Sequence, residues 1–172
     1  MASTSSLRLI TLFMGMLLSG CCANNVCNCN DEQEDSIKLR LTPDPSGING
    51  FSATELDTII IKRFPKKFTS LTVPESVTLP RTGESIELSN TAPFTRNGSA
   101  RLSQYRYVIQ YLKDQQNSRP ILTNALVIDS VLLKGSYDGS GCCTCYHNTA
   151  KGVYLNGQLT DLQQNSVLTI PK

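Results

Sequence analysis

Apolar and polar residues alternate one for one along much of this chain, as they do in a strand with one buried face. "SIKLRLT", residues 36 to 42, sets Ile37, Leu39 and Leu41 against Lys38, Arg40 and Thr42. "YRYVIQYL", residues 105 to 112, puts Tyr105, Tyr107, Ile109 and Tyr111 on one face, where three tyrosines read as core in preference to a stacking platform for sugars. "LDTIIIKRF" (56–64) is a β-branched run suited to a more buried strand, and "ALVIDSVLLK" reads as one long strand from Ala125 to Lys134. Shorter alternating pieces, "SLTV", "SVTL" and "SIELS", are separated by Pro74, Pro80 and "RTGE". In "VYLNGQLT" the Asn156-Gly157 pair predicts a two-residue type I′ hairpin, because both turn residues must take positive φ; Tyr154 then faces Leu159. "SVLTI" (166–170) is a last strand that can close an edge.

Together these pieces predict an all-β fold, an antiparallel β-sandwich of immunoglobulin-like or transthyretin-like type with about seven to nine short strands. Two segments qualify it. "PDPSGINGFSATE" (43–55) is turn-rich and ends in a capping box, Ser52 to Glu55, which allows one helical turn before residue 57. "NTAPFTRNGSAR" (90–101) has no periodicity and reads as a long exposed loop. No repeat and no interior domain boundary breaks residues 36–172.

Ahead of the strands the pattern changes. Residues 1–20 combine a short polar start and one cation, Arg8, with an apolar core from Leu9 to Leu18 interrupted by Thr11 and Gly15. An h-region of about ten residues falls short of the roughly 20 that span a bilayer, so the segment reads as an export signal. Residues 21–35 follow as a cysteine-containing polar tether that ends in four acids between Asp31 and Asp35.

"LSGC", Leu18 to Cys21, resembles the lipobox of bacterial lipoproteins. The resemblance implies cleavage before Cys21, a diacylglyceryl group on its sulfur and a further acyl chain, such as palmitate, on its amine. Several chains on one residue hold a soluble domain durably, because each buried methylene contributes about 0.8 kcal/mol. The arrangement over residues 50–172, "GFSATELDTIIIKRF" with a β-rich remainder and a late cysteine cluster, resembles Bacteroidetes envelope lipoproteins that carry one sandwich domain. That likeness implies an envelope location, with the outer membrane expected and its periplasmic or surface face open. In such proteins an acidic export signal lies close behind the lipidated cysteine; here the acids begin ten residues downstream, at Asp31.

Composition narrows the partners. Charged residues make up 17%, and the net charge is +2, or +1 without Arg8, which implies neither nucleic acid nor an anionic surface as partner. "KRFPKK" (62–67), the one basic cluster, reads as a charged strand end that discourages edge pairing.

With Cys21 assigned to lipid, six thiols remain: Cys22, Cys27 and Cys29 in the tether, and Cys142, Cys143 and Cys145 in "GSGCCTCYHN". Cysteines that are adjacent or one apart pair only with strain, so bridges between the groups are the expectation in an oxidising compartment. A bridge closing roughly 120 residues contributes about 5 kcal/mol in the chain-entropy model. The alternative is a thiolate site for Zn or Cu(I) with His147, the only histidine, as a further ligand. The spacing departs from the usual paired zinc motif.

"DSI", "DTI" and "DSV" resemble the Bacteroidetes O-glycosylation motif, with Ser36, Thr58 and Ser130 as acceptors. No hydrolase, metalloprotease or phosphate-loop motif occurs, so no enzyme and no cofactor are expected. The expected function is a lipid-anchored, non-enzymatic binding or structural module meeting another envelope protein or a glycan. The alternative is a thiolate metal-binding or thiol-redox lipoprotein using residues 22–29 and 142–147.

Overall fold

A computed structural model describes Cys27, Cys29 and residues 34–67, 74–80, 85–95, 101–115, 118–139 and 143–172. The expected leader, Cys21, Cys22, Cys142 and the "SLTV" piece lie outside the described residues.

The described chain is an all-β sandwich. In order it runs β1 (Ile37–Leu41), one helical turn α1 (Ala53–Leu56), β2 (Thr58–Pro65), β3 (Glu75–Pro80), β4 (Ile86–Leu88), a 3-10 turn (Leu102–Gln104), β5 (Tyr105–Lys113), β6 (Ile121–Ile128), β7 (Ser130–Asp138), β8 (Cys145–Leu155), β9 (Gln158–Asp161) and β10 (Val167–Ile170). Three sheets have the strand orders β10-β1-β4, β3-β2-β5-β6 and β7-β8-β9. Their inward faces share one core, to which Ile37, Leu39, Ile59, Ile61, Ile109, Ile128, Val153 and Ile170 each contribute a side chain at most 1% exposed. Tyr105, Tyr107 and Tyr111 are buried in it, as the alternation in β5 requires. Tyr107 stays wet at neither end, since its hydroxyl donates to the Leu102 carbonyl at 3.1 Å.

Three sequence expectations are corrected. The stretch from Ala125 to Lys134 is two strands in two sheets: β6 pairs with β5, and β7 pairs with β8. The break falls at Asp129, whose amide donates to the Tyr154 carbonyl at 2.9 Å and whose carboxylate lies 3.5 Å from the Arg106 guanidinium. Periodicity cannot show it, because both strands are apolar up to the corner. Next, β10 lies at a sheet edge as expected, but it pairs with β1 in parallel; the other neighbouring strands within the sheets pair antiparallel. Finally, the 90–101 segment begins by folding inward: Phe94 is buried, and the Asn90 side-chain carbonyl accepts from Leu102 N at 2.7 Å.

The two local motifs form as read. Ser52 and Glu55 make a reciprocal capping box around α1. At the β8–β9 hairpin Asn156 has φ 51° and Gly157 has φ 79°, with Tyr154 opposite Leu159.

A disulfide-clamped arm as the candidate functional site

β8 is longer than its neighbour β9. β9 pairs with Gly152 to Leu155, so among the described residues the first half of β8 has one strand partner, β7, and the two form an arm. Lys134, Gly135, Ser136, Tyr137 and Asp138 are all exposed along β7. The arm is bent by a bulge: the register slips between Lys134 and Gly135, leaving Thr149 over, and the Thr149 hydroxyl donates to the Lys134 carbonyl at 3.1 Å. Gly135 is needed here, because a β-carbon would sit 2.6 Å from the His147 carbonyl oxygen and closer still to the Tyr146 ring. Tyr137 and Tyr146 face each other across the strands in a T-shaped contact with centroids 5.5 Å apart.

The tether is bonded to the start of the arm through Cys27 and Cys29. Cys27 is bonded to Cys143 with Cα atoms 5.4 Å apart, and Cys29 to Cys145 with Cα atoms 5.3 Å apart. Both pairs have a sequence separation of 116, so the two C-x-C motifs align side by side in the same direction. In an extended chain residues two apart point to the same side, which is why C-x-C facing C-x-C gives two parallel bridges without the strain of pairing within a motif. The expected pairing between groups is therefore realised for four of the six thiols. Their sulfurs carry no thiolate charge while bonded, so as disulfides they are neither nucleophiles nor soft-metal ligands.

Farther along, the tether's acidic end docks on the same strand. The Glu34 carboxylate accepts from Asn148 N at 3.0 Å, while the Asn148 side-chain amide donates to the Glu34 carbonyl. Asp35 accepts from Asn90 at 3.5 Å. His147 lies beside this clamp, with Nδ1 3.9 Å from the Glu34 carboxylate and a side chain 60% exposed. Lys151, three residues on from Asn148 along β8, is buried; desolvation lowers its pKa, and the nearby Glu34 and Asp35 carboxylates pull it partly back. Glu34 and Asp35, the final acids of the polar tether, thus pack against the fold.

At the tip a depression of about 440 Å³ is lined by Asp138, Gly139, Cys143, Cys145 and His147. It offers one carboxylate, one imidazole and disulfide sulfur. Among the described residues no group of three or more His, Cys, Asp or Glu side chains is placed to hold a metal ion.

The glycosylation candidates lie elsewhere. Ser36 is buried at 4% exposure, and Thr58 and Ser130 are half-buried. The Ser130 hydroxyl accepts from the Lys66 ammonium, which also donates to the Ser103 carbonyl at 2.8 Å. A transferase acting on Ser36 would need the chain before it folds.

Sequence reading missed the second cation of "KRFPKK". Arg63 is 4% exposed, its guanidinium stacked 4.5 Å from the centroids of both Phe94 and Tyr105 and bonded to the Glu75 carboxylate at 2.8 Å and 2.9 Å. The signal was present: Ile59, Ile61 and Arg63 fall on one face of β2 at period two.

Among the described residues no helix is long and apolar enough to cross a membrane. No protein-family model matches the chain, and it matches no curated protein and no solved structure with which it was compared.

Proposed function

We propose that this chain is an envelope lipoprotein, anchored through lipid on Cys21, whose sandwich serves as a non-enzymatic binding or structural module. The observation that carries this reading is the pair of disulfides between tether and fold. Disulfides persist in chains exported to an oxidising compartment. Export is what the apolar leader supplies, and "LSGC" supplies the anchor. The position of the bridges fits this role, since they fasten the segment that follows the anchor to the domain it holds. A non-catalytic role is supported by the surroundings of His147: the sulfurs that line the depression with it, those of Cys143 and Cys145, are bonded in disulfides. The partner class is another envelope protein or a glycan. Metal or redox chemistry at the same cysteines would first require reduction of both bridges.

The anchor is tested by Cys21→Ala in the full-length chain, expressed in a host that processes lipoproteins. Wild type is expected to enter the detergent phase on Triton X-114 partition and the variant to stay in the aqueous phase. Equal partition of the two proteins into detergent sinks the reading.

A further inference from the structure

We propose that the two disulfides make the tip of the β7–β8 arm the membrane-proximal pole of the domain, so that the opposite pole, at the Asn156–Gly157 turn, faces away from the membrane. This rests on the lipid anchor at Cys21 and adds an orientation to it.

Covalent geometry carries the argument. Six Cα steps separate Cys21 from Cys27, so whatever their conformation they span at most about 20 Å. Cys27 is held at Cys143, with Cα atoms 5.4 Å apart, beside the tip formed by Asp138 and Gly139. Among the described residues, the next contact of the tether with the domain beyond the cysteines is Glu34 at Asn148, in the middle of the arm and 13 steps from Cys21, a reach of up to about 45 Å if it alone held the tether. The disulfides thus more than halve the reach and move the attachment from mid-arm to tip. Two parallel bridges on C-x-C motifs also restrict the swivel that one bridge would leave. From Cys145, β8 takes ten steps to Leu155, a rise of at most about 33 Å along a strand bent at the bulge, which carries the β8–β9 turn away from the attachment. At that far pole lie Leu159, half exposed, and Arg106, whose side chain is 53% exposed beside Asp129.

The test uses full-length lipidated protein in phosphatidylcholine vesicles that carry rhodamine-headgroup lipid, with a donor fluorophore introduced by amber suppression at Ser136 or at Gln158. Both positions are exposed, one near the tip and one beside the turn. Energy transfer is expected to be at least about twofold greater from position 136, given the lengths above. Reduction, or joint replacement of Cys27, Cys29, Cys143 and Cys145 by serine, is expected to shrink that contrast. The wild-type contrast stands as a test even if the reduced or replaced forms fail to fold. Equal transfer from the two positions on protein that floats with the vesicles overturns the orientation and leaves the anchor intact. Protein that carries no lipid on residue 21 and does not float overturns both.

Discussion

Arg63 is a full charge held inside an otherwise apolar face, and its partners explain why it is tolerated. The Phe94 and Tyr105 rings each lie 4.5 Å from the guanidinium carbon, Glu75 neutralises it across the β2–β3 pair, and the Thr95 carbonyl accepts from it at 3.3 Å. Removing one member of such a pair is worse than never having had it, because the other charge stays buried. Glu75→Ala is therefore expected to destabilise the fold by about 2–4 kcal/mol, seen as a lower urea midpoint with an unchanged slope. A shift within experimental error would show that Arg63 finds water instead. At this scale the sequence was legible where a residue's own conformational preference decides, as at Asn156-Gly157. It was obscured where residue type and position disagree: the pattern put residue 63 inward, while its charge argued for the surface.

Single elements show the same division. The capping box of α1 was readable because both its members lie within four residues. What sequence could not show is that Lys172, 117 residues away, donates to Glu55 at 2.6 Å. Burial pushes the Glu55 carboxyl upward, but the Lys172 ammonium and the Ser52 N–H outweigh it and hold the pKa below its ordinary value. A carboxylate with a depressed folded pKa stabilises the fold above its unfolded pKa, and that contribution is lost as pH falls through the folded value. Lys172→Met is thus expected to lower stability at neutral pH by about 1–2 kcal/mol. The gap from wild type should narrow below the ordinary carboxylate range, as measured by Tm against pH. A gap that is constant down to strong acid would assign the loss to packing alone. The β6–β7 corner was illegible for a different reason: "ALVIDSVLLK" has one interruption, Asp129, and an acid inside an apolar run does not say whether the chain continues or changes sheets.

Across the whole molecule, the sandwich carries a tail that has been sewn to it. Each bridge closes a loop with a sequence separation of 116, so the first contributes about 5 kcal/mol through the unfolded chain and the second, enclosing nearly the same loop, adds less. Cysteine arithmetic anticipated bonds between the two groups, because neighbours within a group could pair only with strain. It could not anticipate the partners in register, or that Glu34 and Asp35 would dock beside them, since both depend on where β8 outruns β9. One covalent object is thus decisive: an N-terminal segment bonded to the arm and, on the function proposed above, lipidated at Cys21. Trypsin would leave Cys27 and Cys29 in peptide 21–38 of the processed chain and Cys143 and Cys145 in peptide 135–151. Mass spectrometry of a non-reducing digest of protein purified from membranes is expected to find these two peptides joined, with the lipid increment on residue 21 and fragments that assign the bonds Cys27–Cys143 and Cys29–Cys145. The two peptides recovered separately, or joined but starting upstream of Cys21 without lipid, would contradict it.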